Sequence, residues 1–206
     1  MIGFPLGLVY ANALEWVVHK HILHGLGKNK KSFWSFHWHE HHNHARREAM
    51  HDKMYGSVTL EWNARTKEVV ALLAGALVHA PLLPVAPFFT LAVWVSAANY
   101  YRVHSRAHLD PAWANEHLPW HVDHHMGGNQ HANWCVSLPL WDHVMGTREK
   151  YLGTQKHSED VRRQAVRAPV TPPTDGAPAS TRLSARTSLR RKLSVVRERL
   201  AGAHFV

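Results

Sequence analysis

The tightest constraint in the chain is the stretch His121-Val122-Asp123-His124-His125. In a helix, spacings of three and four put all three imidazoles on one face. Protonated rings held that close repel each other, whereas neutral rings each offer a lone pair to a metal ion. The clustering recurs in His37-x3-His41-His42, with His39 and His44 alongside, in His104-x3-His108, and in His19-x4-His24, with His21 between. Spacings of three or four share a helical face, as in the zincin helix. Five residues turn about 140° in a regular helix. His21 and His24 suit such a helix better. His19 and His24 can meet only if the last turn unwinds near Gly25, or if they serve two ions on different sides.

The chain has 206 residues, with 20 histidines against 15 Asp plus Glu. A tract that merely chelates metal would be one low-complexity segment. These clusters are spread from His19 to His125 among Trp, Leu and Val, which points to a built site. The clustered rings exceed the needs of one ion, and two ions with open positions fit. Imidazole suits zinc, copper, iron and nickel. Iron is favoured because the clusters adjoin apolar runs and few side chains suit hydrolysis. Cys135 is the only cysteine, which excludes an intramolecular disulfide, a cysteine-based zinc knuckle and an iron–sulfur cluster. Glu15, Glu40, Asp52, Asp123 and Asp142 are candidates to orient ligand rings. His117 and His131 are candidate alternates near the fourth cluster.

Residues 2–24 are mostly apolar, helical from Leu8, and stopped by Gly25 and Gly27. Without a signal-peptide pattern, the segment reads as a retained membrane helix, short of the ~20 residues a crossing needs. Val69 to Ala80 and Phe88 to Tyr101 flank Pro81, Pro84 and Pro87, and read as a hairpin that dips into a membrane and returns. Lys67 and Arg102 at its feet place them in the cytoplasm. The expected fold is all-α: integral membrane helices (a short N-terminal helix plus a helical hairpin) with a cytoplasmic histidine-rich helical cap. Nine Trp and five Tyr fit an interfacial belt. His79 is the only histidine in the hairpin, which argues against a metal path through a membrane.

Residues 1–153 form the expected domain, and residues 154–206 a basic, largely disordered tail. Within the tail, 168–180 is rich in Pro, Thr and Ala. Thr181 to Gly202 alternates Arg with Leu and Val, as a basic amphipathic helix on a membrane surface or a solvated tail would. The net charge of +9 lies mainly in the tail and loop flanks with no reader motif, so nucleic acid is not an expected partner.

Taken in order, Glu15-x3-His19-x4-His24-Gly25, His37-x3-His41-His42, His104-x3-His108, His121-x2-His124-His125 and Pro139-Leu140-Trp141-Asp142-x3-Gly146-Thr147 resemble the fatty acid hydroxylase superfamily. That group includes sterol desaturase-like proteins and bacterial carotenoid hydroxylases. The resemblance covers roughly residues 10–150. It implies an integral membrane, non-haem di-iron oxygenase that hydroxylates or desaturates a lipid-like substrate (fatty acyl, sterol or carotenoid). Such an enzyme takes O2 and electrons from an external donor of ferredoxin or cytochrome type. By position the implied metal ligands are His19, His24, His37, His41, His42, His104, His108, His121, His124 and His125. The implied cofactor is two Fe ions, with zinc replacing them in a purified or recombinant form. The competing readings are a histidine-rich metal-binding or metal-transport membrane protein, and a family member that binds zinc structurally.

Overall fold

The computed structural model describes residues 2–57 and 61–167. Among them the chain is helical, without strands. It divides into two compact units, Met1–Thr154 and a second beginning at Gln155.

Helix α1 spans Gly3–Val17 and starts before Leu8, because Pro5 falls in the first turn, where its missing N–H is not needed. It passes directly into a π-helical segment, Val18–Leu23. A second π-helical segment, Phe36–His42, leads into α2, Asn43–Arg47. The N-cap of α3, Ala64–His79, is Asn63, whose side chain accepts from Thr66 N at 3.1 Å. Proline sets the next three starts: α4 is Pro87–Leu109, α5 is Pro111–His117 and α6 is Pro119–Met126. Each proline forgoes an N–H that the first turn leaves unpaired, and disfavours helix in the residue before it. A short helix, α7, covers Leu140–Val144.

Helices α1 and α3 pack on α4 rather than on each other, and the gap between them is a cavity. The α1–α4 contact is close because Gly7 has no side chain. A Cβ there would lie 2.7 Å from Ala92 Cβ and from Phe89 O. At the other end of α4, Val103 and Ala107 join Met50, Ala114, Leu118, Val122 and Val136 in a buried cluster that seats α5 and α6.

The structure corrects the membrane expectation. Among the described residues no helix is long and apolar enough to cross a membrane. At 1.5 Å per residue, α1 (15 residues) and α3 (16 residues) reach only about 22 and 24 Å, short of a hydrocarbon core of about 30 Å. Helix α4, at 23 residues, has the length. Its second half, however, carries Arg102, His104, Ser105, Arg106 and His108. The short N-terminal helix and the hairpin are therefore not spanning elements. The assignment of Lys67 and Arg102 to a cytoplasmic side rested on that membrane fold and falls with it. The aromatic belt goes with it: Trp16 and Trp134 are buried beside the histidines.

The second unit opens with α8, Gln155–Arg167, where the sequence reads as tail. It carries ion pairs at i,i+4 between Lys156 and Asp160 and between Arg163 and Glu159. The Pro-rich stretch 168–180, the amphipathic segment Thr181 to Gly202 and His204 lie outside the described residues.

Replacing Gly7 with Leu forces α1 away from α4. Overpacking of this kind costs about 1–3 kcal/mol. Urea unfolding should show the midpoint falling by a corresponding amount with an unchanged slope.

Candidate metal centre

The two π-helical segments give the site its shape. In Val18–Leu23 the backbone widens to i→i+5 bonding, and His24 N donates to His19 O at 2.9 Å. Five residues then make roughly one turn, so His19 and His24 face the same way. This is the unwinding that the five-residue spacing demands, and it leaves His21 exposed against Trp16. Gly25 follows because a Cβ there would lie 2.1 Å from His21 O. The same widening over Phe36–His42 puts His37 and His42 on one side and turns His41 to another.

Two groups of rings result. His19, His24, His37, His42 and His124 bring one ring nitrogen each to within 4.8 Å of all the others, and His41, His104, His108 and His125 do the same. His121 adjoins the second group, with Nε2 3.3 Å from His108 Nε2. In the first group Nε2 faces Nε2 at 2.9 Å (His19 and His37), 3.0 Å (His24 and His42) and 3.1 Å (His42 and His124). Sequence neighbours are divided between the groups: His42 and His124 serve the first, His41 and His125 the second. The rings of His42 and His125 stack at the boundary with centroids 4.3 Å apart. All ten histidines implied by the resemblance are buried and meet in this one place.

The outer nitrogens decide which way the lone pairs point. A neutral imidazole carries one N–H. His19 Nδ1 bonds Trp134 O; His124 Nδ1 bonds Ala132 O at 2.6 Å, and His108 Nδ1 bonds Met50 O at 2.8 Å. A carbonyl can only accept, so in these rings Nδ1 holds the proton and Nε2 presents a lone pair inward. His42 Nδ1 meets Gln130 Oε1 at 3.1 Å and His104 Nδ1 meets Glu68 Oε1 at 2.8 Å, with the same consequence. The inward nitrogens of His41, His104 and His125 are buried without any hydrogen-bond partner. Lone pairs directed at one another in a dry interior are repulsive unless a cation lies among them. The residues therefore fit two metal ions with imidazole ligands.

Burial also favours the neutral form in nine of the ten rings. Desolvation is the largest cause in each case. It holds His19 down at about 4, and holds His24, His37, His41, His42, His108, His121, His124 and His125 below the ordinary histidine range. The charge that a neighbouring ring would carry lowers them further.

Two outer carbonyls flank one strained residue. Asn133 has φ of 60°, a left-handed conformation that Asn tolerates better than most residues. It lies between Ala132 and Trp134, whose carbonyls take His124 and His19. Its side chain accepts from Glu149 N at 2.9 Å and from Arg148 at 2.8 Å. Met50, which takes His108, is also left-handed at φ of 77°. The element Pro139-Leu140-Trp141-Asp142-x3-Gly146-Thr147 braces the same loop. Asp142 accepts from Trp134 N and Cys135 N, both at 2.8 Å, and from Thr147 Oγ1 at 2.7 Å.

None of the five carboxylates expected to orient rings hydrogen-bonds a ligand histidine. Glu15 accepts from Val136 N, Ser137 N and the Ser137 hydroxyl, so it holds the loop rather than a ring; burial pushes its carboxyl up. Asp123 pairs with Arg148 at 2.8 Å, Glu40 with Lys67 at 2.7 Å, and Asp52 caps Met54 N at 2.9 Å. His39 bonds Lys28 O, His44 lies 3.6 Å from Asp52, His117 stacks on Trp113 and His131 stacks on Trp38 at the surface. The orienting groups missed in the sequence are Glu68, Gln130, Tyr55 and the carbonyls. Tyr55 donates to Glu68 at 2.5 Å and lies 3.4 Å from His41 Nδ1. A lone acid at the head of the apolar run of α3 is the signal that marks Glu68. Carbonyls carry no sequence signal.

Searches against protein-family models, curated proteins and solved structures find no match, so the resemblance stands on its motifs alone. Two buried histidine groups able to hold metal ions are what the structure establishes.

The metal-free protein should lose stability as pH falls below about 6.5, the ordinary histidine value. Above it folded and unfolded chains are both neutral. Below it the unfolded chain binds protons that the buried rings refuse, which costs about 1.4 kcal/mol per pH unit per ring. For His19 that window runs from 6.5 down to about 4. Denaturation across pH 4–8 would measure the slope, and a flat profile would contradict the buried neutral rings. Metal analysis should give two ions per chain, falling to about one in either His124→Ala or His125→Ala, with helicity by circular dichroism retained.

Proposed function

We propose that the protein is a di-iron oxygenase that hydroxylates an elongated apolar substrate with O2 and electrons from an external ferredoxin- or cytochrome-type donor. The observation that carries this reading is a cavity of about 550 Å³ between α1, α3 and α4, whose wall includes the rings of His19 and His37. Two members of the first group are thus also part of a chamber of ligand-binding size. Glu68 and Tyr100, on the same wall, adjoin the second group: Glu68 bonds His104, and the Tyr100 ring stacks on it with centroids 5.4 Å apart.

Imidazole ligands suit several metals, but zinc has no redox chemistry to offer O2. When bound, the iron pair supplies reduction of O2 by two external electrons and two protons, with one oxygen atom entering a C–H bond and the other leaving as water. The chain's own residues hold and orient. The carbonyls, Gln130 and Glu68 fix the ring tautomers, and the apolar walls exclude water and bring a C–H bond to His19 and His37. Ala71, Ala74 and Gly75 keep the α3 side of the cavity wide. A lipid-like substrate matches this shape. A metal store or carrier needs exchange with solvent, which rings this deeply buried serve poorly.

The test is oxygen-18 incorporation. Iron-loaded protein with a chemical reductant, ¹⁸O2 and a lipid extract should yield an apolar product carrying one labelled hydroxyl. Gly75 has open space where a side chain would go. Gly75→Phe should therefore keep two metal ions and lower the yield at least ~10-fold, the scale of 1.4 kcal/mol or more in the barrier. Purified protein without a transition metal, or product formed without O2, would end the proposal.

A further inference from the structure

The cavity is polar at two ends and apolar between. Beside the histidine groups are His19, His37, Glu68 and Tyr100; at the other end are Tyr10 of α1 and His79 of α3; between them the lining is apolar except for Glu15, which is engaged with Ser137, and Ser96. Tyr10 precedes His19 by nine residues and Glu68 precedes His79 by eleven, so on both helices the ends lie roughly 14–16 Å apart at 1.5 Å per residue. The spacing agrees on two helices that pack on α4 rather than on each other, which makes the cavity a channel with a polar site at the far end.

The hydrogen bonds at that end fix its chemistry. His79 is buried, and its Nδ1 lies 2.7 Å from Gly75 O, which can only accept. Nδ1 therefore carries a proton donated to that carbonyl, which leaves Nε2 as the acceptor facing Tyr10. Tyr10 lies 3.0 Å from that nitrogen and donates its hydroxyl proton to it. Both donors of the pair are thus used. What remains is the Tyr10 oxygen, an acceptor. It accepts a hydrogen bond from an alcohol but offers none to a carboxylate.

We infer that Tyr10 and His79 form a recognition site for the hydroxyl end of a long apolar alcohol, whose far carbon is thereby set against His19 and His37. The inference rests on the cavity being the substrate chamber. It narrows the substrate from any lipid-like molecule to one bearing a hydrogen-bond donor roughly 15 Å from the oxidised carbon. Tyr10 is half-exposed, which places the site at the mouth, where the polar end of the ligand enters last. His79 has no part in either histidine group.

Binding to the full-length, metal-loaded protein tests this, with dodecan-1-ol, dodecanoate and dodecane as probes and Trp34, on the cavity wall, as one fluorescent reporter. Wild type should bind the alcohol about 10-fold more tightly than the alkane, the scale of one hydrogen bond, and the carboxylate less well than the alcohol. Tyr10→Phe should abolish the preference for the alcohol and leave alkane affinity unchanged. His79→Leu should keep the preference over the alkane but bring dodecanoate closer to dodecan-1-ol, because the Tyr10 hydroxyl proton is then free to donate to a carboxylate. If alcohol and alkane bind alike in wild type, or the carboxylate binds best, the recognition site is refuted while the chamber stands. If no probe binds wild type, or Gly75→Phe leaves binding untouched, the chamber itself fails, and this inference with it.

Discussion

Ring nitrogens that face one another in a dry interior are the constraint on which the structure turns. Neutral imidazoles with their protons tied outward to carbonyls have only lone pairs left to present to each other. Such an arrangement is unfavourable by itself, and a cation converts it into a ligand set. The rest of the unit serves to hold those rings against their own repulsion. The core of Val103, Ala107, Leu118 and Val122 seats α4 against α6. The loop carrying Trp134 is tied down by Asp142, Glu15 and Thr147.

Backbone irregularity is concentrated at this centre. Both π-helical segments carry clustered histidines, and two of the three left-handed non-glycine residues among the described ones, Met50 and Asn133, adjoin or supply the carbonyls that orient rings. Each departure from regular geometry costs free energy, of order 1–3 kcal/mol for a strained residue. Such departures persist where surrounding bonds over-determine them, as the three side-chain bonds of Asn133 do. The π turns give a helix two adjacent positions, His41 and His42, that feed different groups. A regular helix cannot pair residues five apart on one face, so the widened turn and the two-group arrangement belong together.

The helices that carry, lead into or brace the histidine groups also enclose the cavity. Helix α1 contributes its wall and leads through the π turn to His19, while α3 contributes Glu68 at one end and His79 at the other. His19 and His37 line the cavity and belong to the first histidine group, so cavity and centre share two side chains. Small residues on α3 and at the Gly7–Ala92 contact set the width of the chamber and the closeness of its walls.

The sequence by itself determined that the described chain is helical, that prolines break the apolar stretch between Ala80 and Phe88, and which histidines cluster. Those are local properties, since proline chemistry and side-chain spacing act within a turn or two. The five-residue step from His19 to His24 signalled either a turn that departs from regular geometry or two ions on different sides of a regular helix. Two apolar runs too short to cross a bilayer were legible as well, yet the integral membrane fold read from them is overturned, since no described helix is long and apolar enough to cross. Only the tertiary structure decided that His41 and His42 part company, and that Glu15 braces a loop while Glu68 holds His104. It alone also showed that carbonyls at 50, 132 and 134 set the tautomers. Those contacts join residues 36 to 122 positions apart or use backbone atoms that every residue has, so no pattern along the chain could carry them.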